Sequence, residues 1–448
     1  MHLPKAMTRR LSPSKLGIFS IVGGTAAAQV FGLCTMPLLS RLYSPGDFGV
    51  YAVLSALVVT FGTVGALRFE LAIPLPSRER DAHSLASAGL WAALALALVG
   101  TVGVAVGGDR LSAAFNQPNL MPWLWIVPAS GALMSSCLVL NQLAIRQRRF
   151  GSVGRRYLAQ SVSMVLTQLA TGGAGIKPGG LILGLGLSQI FGAVSLTHGA
   201  GLRSQEAYEG RNFTRLRAVV SRYRRFPILL APSGLLNVLG LQLPIILIAY
   251  WYGSQVVGWL GLAQRVLAVP VTLLGTAIAQ VYLAELSRAV RGDLIRARQL
   301  FMRGTRTLVP VAAVLLLALI LSGPWVFSWV FGEEWRQSGE YARALSVGLA
   351  AQMVGSPLSQ TLIVLERQGL QFTWDAFRVV LISGAVVAAA WAEASPLTAI
   401  WLVGGLSAAF YCLSWYLSYR CLTKSIGHRD RTRGDGDAGS QAEPGSAI

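Results

Sequence analysis

The chain has 448 residues, 53% of them hydrophobic and 13% charged, and its mean hydropathy is +0.55. That leaves too little polar surface to cover a soluble domain of this length, so the membrane is its solvent. The net charge of +19 would suit nucleic acid. The basic residues, however, sit in short loops between apolar runs, where Lys and Arg set topology and meet anionic lipid headgroups, so no nucleic-acid partner is expected.

A spanning helix needs about 20 apolar residues. The first uncharged run of that order, 17–40, is a full-length span without a small-residue cleavage site, and is read as retained rather than as a signal peptide. The runs 48–67, 83–108, 121–145, 157–176 and 178–202 complete a first set of six. The run 226–264 is too long for one helix and divides at the turn signal Tyr252-Gly253-Ser254 into spans seven and eight. Spans nine to twelve are 307–332, 344–365, 371–392 and 394–419, and the third of these carries Asp375 and Arg378. No outer connection is longer than 107–120, which excludes a folded external domain. Beyond Tyr419 the chain turns polar and ends in GDGDAGSQAEPGSAI, so 421–448 is expected to be a disordered cytoplasmic tail.

The basic residues alternate along this pattern. Of 38 Lys and Arg, 31 fall in 1–16, 68–82, 145–157, 201–225, 286–306, 366–371 and 420–448, and five in the intervening connections. Arg265 and Arg378 are left over, both inside apolar stretches. Lys and Arg are retained on the cytoplasmic side of short loops, so the bias implies an even number of spans with both termini in the cytoplasm. Arg outnumbers Lys by 34 to 4, which together with the Ala and Gly content points to a bacterial genome and hence to the bacterial inner membrane.

The two halves repeat. Pro37 and Tyr43 precede Gly49 as Pro244 and Tyr250 precede Gly258, at an offset of 207 residues that grows to 209 at the glycines. Six spans is an even number, so both copies enter the membrane in the same orientation. The fold class expected is all-α integral membrane, with twelve transmembrane helices in two parallel six-helix lobes around a central cavity. The boundaries are a cytoplasmic N-terminus 1–16, a first lobe 17–202, a cytoplasmic linker 203–225, a second lobe 226–420 and the tail 421–448.

Cys34, Cys137, Cys412 and Cys421 are scattered without a CxxC spacing, and His2, His83, His198 and His428 form no i, i+4 pair. Neither cysteine chemistry nor a metal site is expected.

The segments RLYSPGDFGVYAVLSALV (41–58), LRFELAIPLP (67–76) and VGWLGLAQRVLAVPVTLLGTAIAQVYLAEL (257–286) resemble those of the polysaccharide-biosynthesis flippases. These are the Wzx-type O-antigen and exopolysaccharide exporters, within the superfamily that also holds lipid II flippases and multidrug extruders. The resemblance covers about residues 14 to 420. It implies an alternating-access transporter, not an enzyme, that moves an undecaprenyl-diphosphate-linked oligosaccharide from the cytoplasmic to the periplasmic leaflet. It also implies membrane lipids, a polysaccharide polymerase and a chain-length regulator as partners. No bound cofactor is expected, and Na⁺ and H⁺ both stay open as coupling ion.

A diphosphate crossing about 30 Å of hydrocarbon needs fixed positive charge at mid-depth, and guanidinium matches phosphate oxygens bidentately. Arg265 lies about 16 Å into span eight, counted from the turn near 254. It is read as the cargo's diphosphate ligand or as a structural arginine paired with an acid. Arg68 and Glu70, at the inner end of span two, are read as part of the inner mouth of the cavity or as interfacial anchors. Asp375 and Arg378 have the i, i+3 spacing of an intrahelical ion pair, and a role toward substrate or coupling ion stays open. Arg41 lies at the outer end of span one, where headgroup contact is the ordinary reading. Gln29, beside Gly23-Gly24 and Pro37 in a bendable span one, and Gln264 supply uncharged polar groups for interhelical bonds or sugar hydroxyls. Two alternatives share no such demand for positive charge. A cation-coupled drug exporter of the same fold needs an acid deep in a span. A membrane glycosyltransferase or polymerase needs a large external loop or clustered carboxylates, and neither is present.

Overall fold

The computed structural model describes residues 13–114, 120–197, 213–292, 294–365 and 367–440. Of the segments expected as N-terminus, linker and tail, residues up to 12, 203–212 and those after 440 lie outside these residues. Among the described residues there is no strand, and twelve helices have 19 residues or more, six on either side of 198–212. The first six are α1 (Pro13–Leu42), α2 (Pro45–Val64), α3 (Glu79–Ala114), α4 (Ile126–Arg146), α5 (Phe150–Gly173) and α6 (Gly179–Thr197). A short amphipathic helix, α7 (Phe213–Arg222), lies against α3. The last six are α8 (Ala231–Tyr252), α9 (Ser254–Gly292), α10 (Leu294–Phe331), α11 (Arg336–Leu358), α12 (Gln368–Trp391) and α13 (Pro396–Ser440). Nine helices among the described residues are long and apolar enough to cross a membrane, so the protein is an all-helical, multi-pass membrane protein.

The tail departs from expectation over 421–440, where α13 continues as helix to Ser440. An existing helix extends one residue at a time without a new nucleation cost, so polar composition alone does not end it.

Packing falls mostly within each set of six, which is consistent with two lobes. In the first set α5 lies between α1 and α6, and α4 touches α2, α3 and α6. In the second α11 lies against α9, α10 and α13, and α12 against α8 and α13. Across the two sets α2 runs along both α8 and α9, while α1 meets α9 over a much shorter stretch.

The local chemistry of the repeat explains that junction. Two residues separate α1 from α2, and Ser44 and Asp47 close a capping box there: the Asp47 amide donates to Ser44 Oγ at 3.3 Å and the Ser44 amide to Asp47 Oδ2 at 2.9 Å. Pro45 at the first helical position costs no hydrogen bond, because that amide has no intrahelical partner. In the second copy a single residue, Gly253, separates α8 from α9 with φ +87°, a conformation that L residues rarely adopt. The two turns bring α2 and α9 together reciprocally. A Cβ on Gly49 would strike the carbonyl of Ser254, and one on Gly258 would strike the carbonyl of Pro45. Each residue of one contact lies 209 positions from its counterpart in the other, so the helices meet as two copies of one element about a quasi-two-fold axis.

Candidate functional site

The end of the bundle that carries this junction is sealed by long-range contacts between the two halves. Ser40 Oγ donates to the Phe331 carbonyl at 3.0 Å, and Trp335 Nε1 donates to the Ser40 carbonyl at 3.0 Å. The Phe48 ring meets Trp335 edge-on, with centroids 5.0 Å apart. Trp259 Nε1 donates to the Glu334 carbonyl at 2.8 Å while its ring meets Tyr341 at 6.3 Å. Tyr43, Phe48, Trp335 and Tyr341 are all buried.

Phe48 also faces a cavity of about 750 Å³. Its wall follows α9 from Gly261 to Ala279, a rise of about 27 Å, and continues onto α8, α11, α12 and α13, with α2 closing the remaining side. Arg265 and Arg378 both line it, as do Gln242, Gln264, Gln352 and Gln360. Among the described residues, no carboxylate lines it. The repeat extends into this wall, because Ser55 of α2 and Gln264 of α9 stand at the same 209-residue offset as the glycines and both line the cavity.

Arg265 is half-buried and has no carboxylate partner among the described residues. Its guanidinium carbon lies 4.2 Å from the centre of the Tyr51 ring and 6.0 Å from that of Phe48, and Nη1 is 3.8 Å from the Met36 sulfur. Aromatic faces and a thioether therefore hold the side chain in place of an acid. Arg378 is 5% exposed and differently placed: Nη2 is 3.4 Å from Asp375 Oδ1, Nη1 donates to the Tyr411 hydroxyl at 3.3 Å, and the group lies 4.8 Å over the Trp374 ring. Asp375, 6% exposed, is behind Arg378 and outside the lining.

The structure thus brings Arg265, Gln264 and Arg378 together and sets Asp375 behind them. The other sequence candidates lie elsewhere. Leu67 and Arg68 both adopt left-handed backbone angles, φ +49° and +61°, which turn the chain out of α2 into a short 3-10 turn, Phe69–Ala72. There Arg68 Nη1 is 3.5 Å from the buried Glu70, and the guanidinium fills the space that a side chain at Gly234 of α8 would need. This pair is outside the cavity lining, and burial raises the Glu70 carboxyl above its usual range although Arg68 pulls it down. Arg41 is exposed in the last turn of α1, where a cation complements the helix dipole. Gln29 is half-buried in α1 and also outside the lining. Sequence reasoning passed over Tyr51, Phe48 and Tyr411. Their contacts with the arginines join distant parts of the chain, and a lone aromatic in an apolar run gives no signal of its own.

The fold and the cavity define a polytopic, all-helical membrane protein with a cavity among its spanning helices. Residues 38–340 match the polysaccharide biosynthesis protein family, and the chain belongs to it. It is 26% identical over 375 residues to the succinoglycan biosynthesis transport protein ExoT of Rhizobium meliloti (strain 1021), spanning 80% of this chain and 70% of that protein. Among solved structures, the lipid II flippase MurJ in an inward closed conformation superposes with a TM-score of 0.66 at 11% identity, covering 91% of this chain and 87% of that one. A multidrug resistance MATE family transporter in an inward-facing conformation superposes with a TM-score of 0.60 at 14% identity, covering 90% and 95%. At these identities the likeness speaks for the fold alone.

Proposed function

We propose that this protein is a flippase that carries a polyprenyl-diphosphate-linked oligosaccharide from the cytoplasmic to the periplasmic leaflet of the bacterial inner membrane, for surface polysaccharide synthesis. One observation carries the reading: among the described residues the cavity holds two arginines and no carboxylate, and no acid neutralises Arg265. Moving a diphosphate into hydrocarbon is costly unless fixed cations receive it, and here they stand beside amides able to meet sugar hydroxyls in both senses. The membership of a polysaccharide biosynthesis family supports a glycan cargo. A cationic drug would be repelled by the same cavity, which argues against the exporter alternative.

The arginine and lysine bias turns the sealed end toward the periplasm, so that the cavity receives cargo from the cytoplasmic side. Released units would pass to a polymerase and its chain-length regulator. In a strain lacking the protein, lipid-linked repeat units should accumulate while the upstream glycosyltransferases stay active, and surface polymer should disappear. Normal surface glycan together with altered drug tolerance would overturn this reading.

A further inference from the structure

Among the described residues Asp375 is the one buried acid that touches a residue lining the cavity, and its pairing is imperfect. The 3.4 Å approach of Arg378 Nη2 makes no hydrogen bond: Oδ1 of Asp375 and Nε of Arg378 are both buried without a hydrogen-bond partner. The carboxylate receives a long bond, 3.4 Å at Oδ2, from Gln371 Nε2 of the same helix, and a side-chain hydrogen bond from Asn237 of the facing helix α8. Arg378 itself lines the cavity with Tyr411 and Gly240, and a Cβ at Gly240 would lie 2.9 Å from Nη2. The guanidinium therefore stands between two possible anions, one built into the protein behind it and one that would arrive in front. Burying an ion pair gains least when its hydrogen bonds are incomplete, whereas a phosphate in the cavity would offer Arg378 bidentate acceptors.

We propose that Asp375 is a displaceable counter-anion: it holds Arg378 while the cavity is empty, yields it to the cargo's diphosphate, and reclaims it when the cargo leaves. This rests on the flippase reading above and assigns Asp375 a positioning role toward release. Arg265, which has no such competitor, supplies the standing attraction. A cavity with two uncompensated arginines would hold a diphosphate too firmly to let it go. One arginine with a resident rival lowers affinity and speeds departure.

The experiment measures binding of farnesyl diphosphate to the purified protein in detergent, with farnesol and inorganic pyrophosphate as controls, alongside export of surface glycan in cells. Asp375→Asn keeps the shape and the Gln371 bond but removes the rival charge. It should tighten farnesyl diphosphate about tenfold, roughly one partner charge's worth of free energy, while slowing export at wild-type abundance. Asp375→Glu reaches further toward Arg378 and should weaken binding. Arg378→Gln should weaken it as well, and the double variant with Asp375→Asn should match Arg378→Gln alone. Unchanged or weaker binding in a folded Asp375→Asn protein overturns the proposal. If that variant does not fold, unchanged or tighter binding by Asp375→Glu overturns it instead. In either case weakened binding by Arg265→Gln leaves the flippase reading standing. Farnesyl diphosphate binding no more strongly than farnesol to the wild type, with Arg265→Gln inert, overturns the flippase reading and this proposal with it.

Discussion

Alanine at Gly49 or Gly258 should loosen the sealed end. In each case the added methyl carbon would meet a backbone carbonyl of the facing helix, Ser254 or Pro45, and ordinary contact at a Cβ begins at 3.4–4 Å. A carbonyl inside a helix cannot swing aside as a flexible side chain can, so α2 and α9 must part. Overpacking a close contact costs about 1–3 kcal/mol, which lowers the population of the sealed state by roughly 5- to 150-fold relative to an open one. The two contacts close the same gap, so the double variant should cost less than the sum, since helices parted by the first methyl have room for the second. The assay places a single cysteine at Ser40, which is 5% exposed in the seal, with the four native cysteines replaced, and measures the rate of labelling by a membrane-impermeant maleimide. Gly405→Ala in α13 has nothing within 4 Å and serves as the control that gains a methyl without a clash. Equal labelling rates in Gly49→Ala, Gly258→Ala and Gly405→Ala would refute the latch.

Arg265→Ala should abolish export while the protein still inserts and accumulates, and Arg265→Lys should restore only part, because an ammonium keeps the charge without the planar fork; surface glycan and membrane abundance are measured together, and loss of abundance would mark a structural arginine instead. The Glu70 carboxyl titrates above its ordinary 4.5 because burial disfavours its charge, so the folded state binds the extra proton and this contribution to stability is lost as pH rises through the raised value. The wild-type melting temperature, taken relative to Glu70→Gln, should therefore fall as pH rises above 4.5, and a constant difference would contradict the burial argument. Reporter fusions at Gly108 and Lys177 should report as periplasmic and fusions at Gly151 and Gly292 as cytoplasmic, and two reversed reporters would overturn the orientation.

What the sequence made legible followed from rules that act locally or that the bilayer enforces. Apolar runs of span length and the alternation of arginines anticipated twelve long helices, since hydrocarbon leaves the backbone few other options. The Pro–Tyr–Gly repeat announced two like halves, but not that Gly49 and Gly258 bring α2 against α9, because which helices meet is decided by packing and not by the repeat itself. Counting residues placed Arg265 at depth, and it lines the cavity. Arg68 and Glu70 were harder, because their place depends on two left-handed residues at the end of α2 that divert the chain toward α8, and nothing in LRFELAIP announces them. Asp375 and Arg378 were recognised as a pair, but which of the two faces the cavity depends on how α12 rotates against α8 and α13, a choice made by packing and not by spacing.

The two arginines of the cavity are held in opposite ways. A guanidinium in the membrane ordinarily secures an acid, since an unpaired charge there is expensive. Arg265 instead rests on the Tyr51 ring, an interaction worth about 0.5–2 kcal/mol, which orients the group without neutralising it. An aromatic face can hold a cation and leave its in-plane N–H donors free, whereas a carboxylate would occupy those same donors. Tyr51 and Gln264 stand on α2 and α9, the two helices joined at the glycine latch, so parting that latch also shifts the surface on which Arg265 rests. On the proposed function, opening the sealed end would also weaken the hold on the cargo's diphosphate, and Tyr51→Leu should uncouple the two: the seal stays intact by maleimide labelling while farnesyl diphosphate binding falls. Wild-type binding in Tyr51→Leu would show that the ring plays no part in presenting Arg265.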